Sequence, residues 1–409
     1  MERIGDSRRR LASLTKYIPY AGITHAGGRY VDSHYRALSD DWIVDTFAPQ
    51  TPANVTAAGR VEHVESVELI RGVGPFAAGR LKPLADLEAA WAGSTVTRNV
   101  RAVFQHDDAS VWRRIERSSL IEFQWSEMFA LAELTRARLP ERFMVGVAHD
   151  VITQRWERAA AAARVPASYA YRLAARRSRD RERRSLASLD VVVAFSEKDA
   201  ALARALAPTT ATEIVLPGLG PEEGAPERSP DPKEPIVLFT GALNRPDNHN
   251  GVEWFIQRVW PAVLRAAPSA RLVVAGAHPP ASLERTVTRA PRASLTGFVA
   301  SLEPYYAQAS VFVAPLFTGA GVKFKTIDAM LRGVPVVATP VGAEGIDGAD
   351  LLVGETEDAD EFAGAVLRAL GREGDLRARE AGAWAEVHYG TAAFERRLRD
   401  LYSRFPQNR

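Results

Sequence analysis

Ser310-Val-Phe-Val-Ala-Pro-Leu-Phe-Thr-Gly-Ala-Gly-Val-Lys-Phe-Lys-Thr-Ile-Asp-Ala-Met-Leu-Arg-Gly-Val-Pro-Val-Val-Ala-Thr339 carries the clearest structural signal in the chain. It opens as a short apolar β-rich run that ends at Pro315. A Gly-X-Gly turn follows at Gly319 and Gly321, then a helical stretch to about Arg332, then a second apolar run, Val334 to Ala338. At a helix start, glycines let backbone N–H groups approach a ligand, and the unpaired amides with the helix dipole favour an anion. Lys323 and Lys325 add full positive charge beside those amides, and Asp328 lies one turn after Lys325 on the same face. A diphosphate held by the amides and lysines, with the carboxylate accepting from ribose hydroxyls, fits this pattern. The plainer account is a glycine turn followed by two solvated lysines.

The same alternation extends outward in both directions. Phe143–Ala148, Asp190–Phe195, Ile236–Phe239 and Leu272–Ala275 read as further buried parallel strands. Between strands, Val252, Phe255, Ile256, Val259 and Val263 recur at helical spacing, as do Phe362, Val366 and Leu370. Repeated β-α alternation predicts an α/β protein with doubly wound parallel sheets covered by helices on both faces. Pro and Gly punctuate Pro217 to Pro235 without any apolar period, which predicts a linker over 217–235. It divides the chain into Rossmann-like domains at 1–216 and 236–390, expected to face each other across a cleft. The stretch from Thr391 to Phe405 is an amphipathic helix with no strand after it. The segment 391–409 is therefore set apart, with a return to the N-terminal domain as one option.

Composition narrows the chemistry. With 409 residues, 46% hydrophobic and 25% charged, the chain has the mix of a globular protein of two or three domains. The absence of Cys removes disulfides, thiolate metal sites and cysteine nucleophiles. A formal charge of +2 is too balanced for a nucleic-acid coat. Lysine occurs only at Lys16, Lys82, Lys198, Lys233, Lys323 and Lys325, so a pair within three positions stands out. No apolar run approaches the ~20 residues of a membrane span. Met1 to Arg10 has no apolar core behind it, so no secretory signal is expected and the protein is expected in the cytoplasm.

The segment from Ser310 to Thr339 resembles the nucleotide-sugar site of the retaining glycosyltransferases of family 4, the glycosyl transferases group 1, which have the GT-B architecture. Phe239-Thr-Gly-Ala-Leu-Asn-Arg-Pro-Asp-Asn-His-Asn-Gly-Val-Glu-Trp-Phe255 resembles the opening strand, loop and helix of that family's carboxyl-terminal domain. Leu272–Gly276 and Thr296-Gly-Phe-Val299 resemble the strands whose ends hold the base. Together these motifs cover most of residues 235–370. The resemblance implies donor contacts at Gly241, Asn244, Arg245, Gly297, Phe298, Gly319, Ala320, Gly321, Lys323 and Asp328, with Lys325 on the diphosphate. In one respect the sequence departs from the family, whose signature is a Glu, seven residues, then a second Glu. Asp328 occupies the second position and Ala320 the first.

A matching half lies upstream. Leu14 to Arg29 passes from a strand through a glycine-containing loop into a helix reaching about Leu38, with Gly27 and Gly28 at the helix start. That geometry suits close approach by a phosphate or sugar, although an ordinary tight turn has the same composition. In the resembled family this loop lies against the donor diphosphate and the acceptor. His149 ends the run Phe143–Ala148 and precedes Asp150, at the end of a strand where α/β enzymes place functional side chains. A lone histidine there is otherwise structural. Family members carry a His after the corresponding strand, contacting the donor sugar, and Phe195-Ser-Glu-Lys198 resembles a later strand with a structural ending.

Other signals are weaker. Gly72-Val-Gly-Pro-Phe-Ala77 matches a dinucleotide fingerprint formally, but Pro75 crowds the loop and the position is not the first strand. Asp358-Ala-Asp360 imitates a metal-binding acid pair, yet it precedes a helix whose first turn favours acids. The His and acids show no metal-ligand spacing, and no Gly-x-Ser-x-Gly or Walker pattern occurs. Arg172, Arg176, Arg177, Arg179, Arg181, Arg183 and Arg184 form a basic stretch offset by Asp180 and Glu182. It suits either an anionic membrane surface or a solvated helical face. The resulting expectation is a metal-independent, cofactor-free retaining glycosyltransferase. It would move a sugar from a nucleoside diphosphate sugar to an acceptor hydroxyl on a glycan, a lipid-linked or a small molecule. His149 would orient the donor sugar. An epimerase of the same fold and a silent sugar-nucleotide-binding subunit are the alternatives.

Overall fold

The structure is a computed structural model describing residues 8–20, 22–23, 26–72, 96–106, 110–221, 224–231, 233–346 and 348–406. It divides into two units, Met1–Leu216 with Glu395–Arg409, and Pro217–Phe394.

The first unit is built on a seven-stranded sheet. Its strands are β1 (Arg9–Thr15), β2 (Trp42–Pro49), β3 (Ser66–Ile70), β4 (Leu120–Gln124), β5 (Phe143–Ala148), β6 (Val191–Ala194) and β7 (Ala211–Ile214). The spatial order is β3-β2-β1-β4-β5-β6-β7, and every pairing is parallel. Parallel strands need crossover connections, and helices supply them, so both faces of the sheet are covered. This is why β4 to β6 are buried along almost their whole length. The helix Thr391–Ser403 and the turn after it also serve this unit. Arg9 donates to the carbonyls of Tyr402 at 3.0 Å and Phe405 at 3.3 Å, with its guanidinium 3.9 Å from the centre of the Trp42 ring. Arg399 donates to the Ala37 carbonyl at 2.7 Å.

The second unit carries β8 (Ile236–Thr240), β9 (Arg271–Ala275), β10 (Ala293–Leu295), β11 (Ala309–Ala314), β12 (Val336–Ala338) and β13 (Gly354–Glu355). Their order is β10-β9-β8-β11-β12-β13, again all parallel. The apolar positions at helical spacing fall on Pro246–Trp254, Phe255–Val259 and Trp260–Ala266, whose inward faces join one core with Leu272, Val311, Phe362 and Val366. The middle piece is a π-helical turn in which the Trp260 N–H reaches back to the Phe255 carbonyl. Pro261 follows it and offers no N–H, which removes one rung of the ordinary ladder at this point. Trp260 is 1% exposed, and its indole N–H is satisfied by the Pro291 carbonyl at 2.9 Å. Burying a side chain of that size is worth on the order of 2–3 kcal/mol.

The described part of 217–235 is anchored within this unit. Leu219 bridges Gly390, the Ser229 N–H reaches the Ala307 carbonyl at 2.7 Å, and Arg228 donates to the Ala309 carbonyl at 3.0 Å. Residues 73–77 of the glycine motif beginning at Gly72 lie outside the described residues, as do residues 1–7.

Candidate functional site

In each sheet the winding reverses between the first and fourth strands, and the loops leaving the carboxyl ends there diverge to leave a crevice. In the second unit the reversal lies between β8 and β11. The loop after β8 contains Gly241, and the helix Pro246–Trp254 that follows carries Asn248. The loop after β11 contains Gly319 to Lys323, and the helix Phe324–Leu331 carries Lys325. Lys325 donates from Nζ to Asn248 Oδ1 at 2.5 Å, and Asn248 Nδ2 donates to the Ala242 carbonyl at 2.8 Å. The ammonium also stands 4.5 Å from the centre of the Phe239 ring. A methyl group built on Gly241 would come within 2.7 Å of Lys325 Nζ and 3.0 Å of Asn248 Nδ2. Glycine at 241 therefore leaves the space in which the lysine and the amide meet. Burial pushes the Lys325 ammonium down to about 7, opposed by Asp247 and assisted by Arg245.

The two lysines diverge. Lys323, 7% exposed, turns back to donate to the Gly321 carbonyl at 2.6 Å and lies 3.5 Å from Glu344 Oε2. The turn that places it needs φ of +113° at Gly319 and +75° at Gly321, a region open to glycine. Ala320 between them is half-buried. Arg245 donates from both Nε and Nη2 to the carboxylate of Asp247, at 3.2 and 3.0 Å. Asn244 and Arg245 are exposed, and Phe298, after Gly297 at φ +69°, is 68% exposed.

Asp328 departs from the sequence expectation of an open carboxylate. It is 3% exposed, and Oδ1 accepts from Arg332 Nη1 at 3.0 Å, one turn along the helix. Arg332 also donates to both oxygens of Glu303 and to the Gly220 carbonyl, and its guanidinium lies 4.7 Å from the centre of the Tyr306 ring. Burial alone would lower this guanidinium, but Glu303 and Asp328 hold it above its ordinary value. Asp328 is thus part of a buried ionic knot beneath the helix.

In the first unit the reversal lies between β1 and β4. The helix Ala26–Leu38 begins beside it, with Gly28 buried and Gly27 half-buried in its first turn. A methyl group on Gly27 would fall 2.0 Å from Trp125 Cη2, so the glycine is required by the indole lying on the helix start. Trp125 follows β4 and adopts φ of +81°, a costly conformation for a bulky residue. Its ring stacks on the imidazole of His149 at 4.0 Å and 18°. Tyr30 and Phe195 meet the same imidazole edgewise at 5.1 and 5.0 Å. His149 Nε2 is 3.3 Å from Gln124 Oε1. Nearby, Lys16 pairs with Glu127 at 2.7 Å.

Sequence reasoning did not find Asn248, Glu344, Trp125 or Gln124, nor the buried acid Glu122 with His34. Asn248 lies inside a motif quoted above; the others had no local signal. The plainer accounts suit two further motifs. Asp358 Oδ1 accepts from the N–H groups of Asp360 and Glu361 at 2.9 Å, capping the helix Ala359–Ala369. Ser196 Oγ accepts from the Asp199 N–H at 3.1 Å and caps Glu197–Leu206. Glu182 does not offset the surrounding arginines at the surface. It is buried and takes the N–H groups of Ile152 and Thr153, closing the start of the helix Ile152–Ala162. Among the described residues no group of three or more His, Asp or Glu converges as metal ligands would, and no helix is long and apolar enough to cross a membrane.

Residues 234–372 match the family model described as Glycosyl transferases group 1. A protein of Klebsiella pneumoniae, described as an uncharacterized 44.6 kDa protein in the cps region, is 32% identical over 117 residues. That match spans 27% of this chain and 30% of the relative's length. Anabaena HepE in complex with UDP and glucose superposes over 97% of this chain and 100% of its own, with a TM-score of 0.66 at 15% identity. WaaG, a glycosyltransferase involved in lipopolysaccharide biosynthesis, covers 96% of this chain and 99% of its own, with a TM-score of 0.60 at 14% identity. The N-terminal domain of Candida albicans trehalose-6-phosphate phosphatase gives 0.68 at 10% identity, over 98% of this chain and 99% of its own. Residues 234–372 thus match the glycosyl transferases group 1 model, and the chain as a whole has the two-sheet fold of these solved structures, the GT-B architecture.

Proposed function

We propose that the chain transfers a sugar, with retention of configuration and without a metal ion, from a nucleoside diphosphate sugar to an acceptor hydroxyl in polysaccharide, glycolipid or secondary-metabolite assembly. The observation that carries this reading is the meeting of Lys325 and Asn248 at the winding reversal of the second unit, beside the Gly319–Gly321 turn. The solved structures of HepE with UDP and with UDP-glucose support a sugar nucleotide as the donor. The chemical demand of the reaction is stabilisation of charge that grows on the departing diphosphate. A preorganised lysine and fixed amides answer it without reorganisation. Lys325 takes the diphosphate, with Gly319, Ala320, Gly321 and Lys323 shaping the loop against it. Gly241, Asn244 and Arg245 line the same edge and Gly297 and Phe298 receive the base, while Asp328, held by Arg332, supports the helix that carries Lys325. By the resemblance, Gly27 and Gly28 are assigned to the diphosphate and acceptor and His149 to orienting the donor sugar. The acceptor hydroxyl attacks on the face the nucleotide leaves, its proton passing to the leaving phosphate.

Transfer or slow hydrolysis of a panel of sugar nucleotides, followed by nucleotide release, tests the reading. Lys325→Ala should lower kcat on the order of 100-fold, as loss of one charge-stabilising donor does. Unchanged turnover would refute it. A second reading, a donor-binding subunit without turnover, is favoured by Ala320 standing where the family has a carboxylate. Saturable donor binding with no nucleotide released from any donor would select it.

For the partner surface we propose an anionic membrane. Val165, just before the helix Ala167–Ala187, and Tyr169 and Leu173, one turn apart on it, are 71%, 63% and 46% exposed. Arg172, Arg176 and Arg177 are exposed alongside. Apolar residues flanked by arginines suit a headgroup boundary, each charge adding about 1 kcal/mol near it. Arg179 and Arg184 contribute less, being paired with Glu157 and Glu133. Tyr169→Ser with Leu173→Ser should release the protein from phosphatidylserine vesicles while leaving donor affinity intact. Undiminished vesicle binding would return the helix to a solvated face.

A further inference from the structure

Behind His149 lies a buried polar assembly that none of the transfer chemistry above uses. Glu122, on β4 and wholly buried, accepts from Ser13 Oγ at 2.7 Å, from Gln124 Nε2 at 2.9 Å and from the hydroxyl of Tyr402. Its Oε2 is 2.8 Å from His34 Nε2. Ser13 in turn accepts from Tyr35 Oη at 2.8 Å. Burial alone would raise this acid, but the His34 charge and the hydrogen bonds to His34, Ser13 and Tyr402 hold it at about 2. It is therefore a carboxylate at neutral pH, and a carboxylate only accepts. That polarity orders its surroundings. Gln124 must turn its NH₂ toward Glu122, which leaves Oε1 facing His149 Nε2. His34 must carry its proton on Nε2, and when neutral its Nδ1 accepts from Tyr30 Oη at 3.2 Å. Tyr30 then meets His149 edge-on.

We propose that Glu122 acts through Gln124 to fix the tautomer of His149, holding the proton on Nε2 and making Nδ1 the accepting nitrogen of the neutral ring. Glu122 and Gln124 are positioning residues, since neither is asked to touch substrate. The ring's orientation is held separately, by Trp125 stacked on one face. Fixing both plane and proton would present a single acceptor to a donor hydroxyl, which an imidazole free to exchange tautomers cannot do. This part rests on the proposed role of His149 in holding the donor sugar; the tautomer itself does not.

The test is two-bond ¹H–¹⁵N correlation of the imidazoles in uniformly labelled protein, with His149→Asn identifying the resonance among the eight histidines. The intact chain at alkaline pH should show the Nε2–H pattern for His149. Gln124→Leu, close to isosteric and without the accepting oxygen, should give a mixture of tautomers. It should also lower kcat/KM for the donor about tenfold, the worth of one hydrogen bond. Glu122→Gln should do the same by letting the Gln124 amide turn over. If that buried variant fails to fold, Gln124→Leu, checked by its melting temperature, decides alone. An Nδ1–H pattern in the intact chain, or a pattern that Gln124→Leu leaves unchanged, would overturn the proposal. The expected pattern in a chain that transfers no sugar would support the relay and remove the sugar-holding role.

Discussion

Lys325 makes a quantitative statement about donor binding. Burial holds its ammonium at about 7, opposed by Asp247 and assisted by Arg245. A diphosphate arriving beside it favours the charged form, so the bound pKa rises and binding takes up a proton above neutrality. At pH 8 a group with a pKa near 7 is about 9% protonated, so about 0.9 proton should enter with each donor molecule. Between pH 6 and pH 8 the dissociation constant should weaken about tenfold, equivalent to roughly 1.4 kcal/mol. The probe is UDP-glucose, whose esterified diphosphate does not itself titrate near neutrality. Calorimetry at pH 8 in buffers of different ionisation enthalpy reads the proton uptake directly. Lys325→Arg, charged throughout, should bind with no buffer dependence, and so should Lys325→Met, more weakly. A buffer-independent enthalpy in the intact chain, or one that persists in Lys325→Met, would refute the reasoning.

The same shift reaches the fold, because the charged lysine is disfavoured in the folded state relative to the unfolded one. That penalty is full below about pH 7 and fades as pH rises toward ~10.4, so the melting advantage of Lys325→Met should shrink over that window. Glu122 has the opposite sign: its stabilisation is present above the ordinary carboxylate range and is lost as pH falls through about 2. A shift of this size corresponds to about 3 kcal/mol, so the lead of the intact chain over Glu122→Gln in acid titrations should vanish between ~4.5 and about 2. Asp328→Ala should lower stability by about 3 kcal/mol in denaturant, since it strips one partner from a buried guanidinium; an unchanged midpoint would mean Glu303 alone satisfies Arg332. Gly27→Ala should displace the Trp125 indole and with it His149, seen as changed Trp emission and a raised KM for donor; unchanged emission would contradict the close contact.

The elements that were legible are those whose signal is local. The run Phe143–Ala148 is β5 residue for residue, and the segment from Ser310 to Thr339 resolves into β11, the helix Phe324–Leu331 and β12. Leu120-Ile-Glu-Phe-Gln124 carries no clear strand signal, because Glu and Gln break an apolar run at positions that are wholly buried. Their partners come from the helices Ala26–Leu38 and Thr391–Ser403, which no window of sequence brings together. Asn248 and Lys325 are likewise joined only because β8 and β11 are neighbours in the sheet. Asp328 is the instructive case. Its spacing sets it on the face of Lys325, yet Arg332 stands one turn further along, and that spacing equally offers the pair the structure contains.

The hydrogen bond from Tyr402 to Glu122 spans 280 residues of chain. At ribosomal rates of about 5–20 residues per second, Glu122 is made roughly 15 to 55 s before its last donor exists. During that interval the nascent first unit carries a charged carboxylate in its interior without its full set of partners, and Trp42 lacks its neighbour Tyr402. The second unit, Pro217–Phe394, is continuous in the chain, whereas the first is completed only by Glu395–Arg409. The half of the protein made first therefore gains its last buried partners only when synthesis ends.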